Sequence, residues 1–230
     1  MLHSAKDGWR SFSGVRSRWP ALLAALAIAA GPAAAAAAPR FHGSAHRIGP
    51  DLRQRMTGVS WHPGCPVGLN RLRLLKLSVW GFDGRVHRRR LVVNEDAARP
   101  MLTVMHRLFH LRFPIRRMRL VDAYGADDHR SMEADNTSAF NCRFVAGTDR
   151  WSEHAYGRAI DLNPIENPYA DGQGYVSPPQ GAPFADRSRR AKGLIHRNGP
   201  VVATFAAVGW GWGGNWEWPK DFQHFSSTGT

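Results

Sequence analysis

The sequence predicts an α+β fold, and three observations carry that reading. Two β-rich runs, Leu72–Trp80 and Val86–Val93, flank Asp83-Gly84, a dipeptide suited to a hairpin turn. A stretch with helical spacing follows, through Ala97, Ala98, Met101, Leu102, Met105, Leu108 and Phe109. Neither βαβ alternation nor an internal repeat occurs, so strands and helices are segregated.

The first 38 residues read as a leader and not as part of the fold. Lys6, Arg10, Arg16 and Arg18 face a single Asp7, an apolar run spans residues 21–30, Gly31-Pro32 breaks it, and alanines lead to Pro39. These are the parts of a secretory signal peptide, 1–38, with the cut expected among Ala35–Ala38. An uncleaved N-terminal membrane anchor is the competing reading. The run is short for a span of about 20 residues and consists mostly of alanine. Residues 39–70 read as an N-terminal extension rich in Gly, Pro and His, with one short helix over Asp51–Met56. Residues 71–230 form the main domain, and 39–230 suffice for one hydrophobic core.

Within the main domain, Asn94 is placed to cap the helix, with Glu95 and Asp96 in its first turn. Pro100 predicts a kink or a later start. Met118–Val121 is a short strand candidate. Asp127–Arg143 is polar with small side chains, a surface loop by default, yet it ends just before the most distinctive motif of the chain. Arg158–Leu162 alternates as a strand does, which puts Ala159 and Asp161 on one face. Tyr169–Pro183 reads as Gly/Pro-rich loop. Pro200 opens a helix that carries Val201, Val202, Phe205 and Val208 and stops at Gly209.

The chain holds 31 Lys+Arg against 18 Asp+Glu, a net charge of +13. Four of the bases and one of the acids lie in residues 1–38, which leaves +10 on residues 39–230. Such a protein is drawn to polyanions, among them an anionic cell-wall surface. The bases cluster at Arg88–Arg90, Arg112–Arg119 and Arg187–Lys192, but no nucleic-acid motif accompanies them, so no specific nucleic-acid partner is expected. The chain is read as a monomer. Cys65 and Cys142 are compatible with a disulfide or with two buried thiols. A bridge across so long a loop would stabilise the fold by about 4–5 kcal/mol in the chain-entropy model.

The chemistry concentrates in WSEHAYGRAIDLNP, Trp151–Pro164, and in WPKDFQHF near the end. The first offers His154 and Asp161, the second Asp221 and His224. Two imidazoles and one carboxylate suit Zn²⁺ and leave one position for water. A further carboxylate beside that water is what metal-assisted hydrolysis requires. Taken alone the spacing is a weak signal, because the chain has eleven histidines. Asp221 and His224 are three apart, so the backbone must turn between them if both are to reach one site. Trp210, Trp212, Trp216 and Trp218 read as core and cleft walls before a sugar-stacking platform.

SEHAYGRAID fits SxHxxGxAxD and DFQHF fits a late DxxH element. With VWGFDGRV, LVVNED, FPIRRMRLVDAYGADD, SMEADNTSAFNCR and GWGWGGNWEW, this chain resembles the zinc D-alanyl-D-alanine carboxypeptidases and L-alanyl-D-glutamate endopeptidases over most of Leu72–Phe225. Those enzymes cut peptidoglycan stem peptides, which become the expected partners. The resemblance implies the small α+β fold shared with the hedgehog signalling domain, an antiparallel sheet with helices on one side. It places the zinc ligands on His154, Asp161 and His224, the catalytic base on Asp221, and the carbonyl-polarising, substrate-binding arginine on Arg143. Ser152 falls on the motif serine that helps hold substrate or the site's geometry. Some relatives have Glu where this chain has Asp221, and Glu217 is the runner-up base. Two other readings stand beside it: an inactive hedgehog-like wall-binding module with a structural zinc, and a basic polyanion binder without catalysis.

Overall fold

The computed structural model describes Gly14 and residues 38–230. The leader reading therefore falls outside the described residues. Residues 39–230 make one compact unit of mixed α and β structure, with small antiparallel sheets and few helices.

The first sheet holds β1 (Gly43–Arg47), β2 (Leu72–Trp80) and β3 (Val86–Asn94) in that order. The hairpin register runs from Leu72 opposite Asn94 to Trp80 opposite Val86. β1 pairs with β2 from Gly43–Leu77 to Arg47–Arg73, a strand that the Gly/Pro/His composition of residues 39–70 did not predict. Helix α1 (Pro50–Met56) buries Leu52 and Met56 in a cluster with Leu72, Val92 and Phe140. The stretch read as an extension is thus built into the domain, and a Cys65–Cys142 disulfide ties it down.

Helix α2 (Glu95–His110) packs Met101, Met105 and Leu108 with Leu75, Leu77, Val79 and Leu91 of the sheet. It runs through Pro100 from Glu95, so proline marks no later start. Asn94 has the extended cap conformation, but its side chain makes no cap bond. Its Nδ2 donates instead to the carbonyl of Tyr156 at 2.9 Å, which ties the start of α2 to the motif stretch.

Two further expectations need correction. Met118–Val121 is not a strand, because a side chain replaces the partner strand: Asn136 accepts from Arg119 N at 2.8 Å and donates to Arg119 O at 3.1 Å. Asp127–Arg143 is not a surface loop. It forms α3 (Asp128–Glu133) and then a buried run from Asp135 to Cys142. That run exchanges main-chain bonds with β3 through Phe140 N to Val92 O, at 3.0 Å, and with the motif through Ser138 and Asp161. Its small polar side chains are buried because its backbone bridges two layers.

The remaining elements are short. β4 (Ala159–Asp161), β7 (Gly211–Trp212) and β9 (His224–Ser226) form one sheet in the order β4-β9-β7. β5 (Tyr169–Ala170), β6 (Val176–Ser177) and β8 (Lys220–Asp221) form another, in the order β6-β5-β8, within the stretch partly read as loop. Helix α4 (Pro200–Ala206) buries Val201 and Phe205, and Gly209 follows at φ +81°. No helix of the described residues is long and apolar enough to cross a membrane.

Candidate active site

His154 sits in the turn before β4, and β4 lies against β9 with Asp161 directly opposite His224. The pairing brings together side chains that are far apart in sequence. His154 Nε2 lies 3.2 Å from Asp161 Oδ2, His224 Nδ1 lies 3.1 Å from Asp161 Oδ1, and the two ring nitrogens are 3.3 Å apart. All three residues are buried.

The outward nitrogens are occupied. His154 Nδ1–H donates to the carbonyl of Ala139 at 2.5 Å, and His224 Nε2–H donates to the main-chain oxygen of Thr230 at 3.1 Å. Ser226 Oγ donates to the same oxygen at 2.7 Å. Each ring therefore keeps its lone pair for the shared centre, as a metal-ligating histidine with an oriented outer N–H does. The donor atoms lie within 4.8 Å of one another and can hold a metal ion. A second cluster, His62, Cys65 and Cys142, offers no such site because both thiols are spent in the disulfide.

Asp221 ends β8, and the chain bends at Phe222 and Gln223 before β9 begins at His224. That bend carries the two residues into different sheets and onto one cleft. Asp221 Oδ1 is buried without a hydrogen-bond partner. Burial and the neighbouring Asp161 carboxylate push its acid up to about 6. Burial also disfavours ionised Asp161, but the two imidazoles more than offset this and hold it well below the usual range. Burial works against a charged His224, yet the Asp161 carboxylate raises its pKa. A dication in the middle is what such mutually dependent groups accommodate.

The cleft has a volume of about 640 Å³. Ser152, Arg143 and Asp128 line it with the four residues above. Ser152 Oγ accepts from His154 N at 3.3 Å. Arg143 Nη2 pairs with Asp128 at 2.7 Å, while its Nε is buried and unpartnered. Glu217 is exposed and does not line the cleft.

Residues 146–227 match the family model described as D-alanyl-D-alanine carboxypeptidase. Over that stretch the chain is similar to this family. No curated protein and no solved structure matches it. The matched segment contains Ser152, His154, Asp161, Asp221 and His224, and Arg143 lies just before it.

Several contributors escaped sequence reading. Ala139 and Thr230 act through main-chain oxygens, which no side-chain pattern reveals. Gly157, at φ +66°, lets the motif pass Asn94, where an added Cβ would come within 2.6 Å of Asn94 N. Gly213 does the same for Asp221, since a Cβ there would meet Asp221 O at 2.5 Å. Both glycines were visible in SEHAYG and WGG, but their reason lies in close approach.

Proposed function

We propose that the protein is an exported zinc metallopeptidase that hydrolyses bonds involving D-amino acids in peptidoglycan stem peptides at the cell wall. The supporting observation is an unpartnered buried oxygen of Asp221 in the same cleft as a converging His154, Asp161 and His224 set. A structural metal held for shape would have no use for a carboxylate kept dry and free. The family match supports the carboxypeptidase class, and small antiparallel sheets with few helices are compatible with a hedgehog-like architecture.

Zn²⁺ held by His154 Nε2, His224 Nδ1 and the Asp161 carboxylate would supply Lewis acidity toward water and the scissile carbonyl. Asp221 accepts the proton of the attacking water through Oδ1 and then delivers it to the departing amine. Arg143 donates its remaining N–H to the carbonyl oxygen as charge develops there, with Asp128 fixing the guanidinium. Ser152 holds the turn that carries His154.

Carboxypeptidase action needs a cation for the substrate's terminal carboxylate. Of Arg130, Arg143, Arg150 and Arg158, only Arg143 and Arg150 line the cleft. Arg130 is paired with Asp127 and Arg158 with Asp96, whereas Arg150 has no carboxylate partner among the described residues. We assign Arg150 to that carboxylate. Mass spectrometry of products from muropeptides with free or amidated C-termini tests this. Release of one D-alanine from the free form alone, with a raised KM in Arg150→Ala, is expected. Equal cleavage of both forms would make the enzyme an endopeptidase.

A further inference from the structure

A second concave site lies away from the catalytic cleft and shares no lining residue with it. It is a groove of about 510 Å³ walled by seven arginines. Arg88, Arg89 and Arg90 come from the edge strand β3. Arg116, Arg117 and Arg119 come from the segment that Asn136 holds in place of a strand, and Arg55 comes from α1. Among the described residues only Arg116 of the seven has a carboxylate partner, through Asp135 and Glu166 at 2.6 Å each. Six guanidinium groups therefore share one hollow without counter-charge.

Ordinary solvated bases spread apart on convex surface, whereas concave walls of one sign focus potential and concentrate anions. Guanidinium groups are also the side chains best matched to phosphate oxygens. One small anion would neutralise only one or two of the six, so the groove suits a ligand with charge repeated along its length. Met118, Leu120 and Ala123 complete the lining, with no aromatic ring among them. Base-bearing single strands are held by stacking on aromatic faces, and this groove supplies none.

We propose that the groove binds a linear phosphodiester polymer that lacks bases. The site would tether the protein to a phosphate-rich matrix while the cleft works elsewhere. This goes beyond the peptidase reading and does not depend on it.

The test is binding of labelled polyglycerol phosphate to the full chain, measured by fluorescence anisotropy over a salt series. Each phosphate contact contributes a slope of about −0.7 in log affinity against log salt for a flexible strand. The triple variant Arg88→Gln, Arg90→Gln, Arg119→Gln should lose affinity at least about tenfold and flatten the slope by about 2. All three side chains are exposed, and the far-UV circular dichroism spectrum and melting temperature should be unchanged, which reports an intact fold. The control Arg189→Gln, Arg190→Gln, Lys192→Gln removes equal charge from another exposed run and should change little. Equal loss in both variants would overturn the groove in favour of net charge. Tighter binding to an oligonucleotide of equal phosphate number, or to phosphatidylglycerol vesicles, would overturn the base-free polymer.

Discussion

The sheet half of the molecule and the cleft half are held together by different physics. In β2, β3 and α2, long elements bury Leu75, Leu77, Leu91, Met101 and Met105 almost completely, and the stabilisation is apolar area removed from water. Around the cleft the strands are two or three residues long, and buried polar side chains set their positions. Asn167 shows how. Its Nδ2 donates to the carbonyls of Leu162, Asn163 and Gly193, and its Oδ1 accepts from Ile195 N and Arg187 Nη2. The contrast teaches that the scaffold rests on buried apolar area while the elements that carry His154, Asp161 and His224 rest on individual hydrogen bonds.

The sharpest way to break the contrast is at the centre itself. His154→Ala removes a proposed ligand, so zinc content measured by elemental analysis should collapse and turnover should fall to background, with the far sheet still folded. Asp221→Asn should keep the zinc but lower kcat by about 10²–10⁴, the usual loss of a general base. Asp221→Glu should recover part of that.

Next come the two kinds of support. Leu77→Ala should cost about 2–5 kcal/mol in denaturant unfolding, with kcat/KM nearly unchanged. Asn167→Ala strands several buried groups at about 1–3 kcal/mol each, and should also weaken zinc binding because Leu162 follows the proposed ligand Asp161. If Asn167→Ala loses stability but binds zinc normally, the cleft half is no more finely tuned than the sheet.

A smaller effect is expected from the charge cluster of Arg116, Asp135 and Glu166. Burial pushes the Glu166 acid up to about 7, against the pull of Arg116 and with Asp135 adding to the rise. A raised carboxyl binds its proton more tightly in the folded state. Its contribution is therefore complete below about 4.5 and is lost as pH rises through about 7. Glu166→Gln should flatten the fall in melting temperature across that window. The least effect belongs to Arg158→Ala, whose exposed pair with Asp96 is worth about 0–1 kcal/mol.

The sheet half was legible because β-rich runs, a turn dipeptide and helical spacing mark it: Asp83-Gly84 between two such runs gives the hairpin of Leu72–Trp80 and Val86–Asn94, and the spacing after Asn94 gives the helix. β1 was hidden because all five of its residues are exposed and carry no apolar pattern. In the cleft half the motif residues were legible as a set, and the turn between Asp221 and His224 followed from their spacing. The buried run Asp135–Cys142 was not, since its reason for burial is the backbone it pairs with and not its side chains. Sequence pattern reports what side chains bury; it is nearly silent on which carbonyl a histidine meets.

The most direct measurement is a zinc titration of chelated, metal-free protein that follows D-alanine release from a D-Ala-D-Ala-terminated stem peptide. Activity should be absent at the start, return in proportion to added Zn²⁺ and saturate at one equivalent per chain. Full turnover in the chelated protein, or no cleavage of any bond of the stem peptide with one equivalent bound, would contradict metal-assisted hydrolysis at His154, Asp161 and His224.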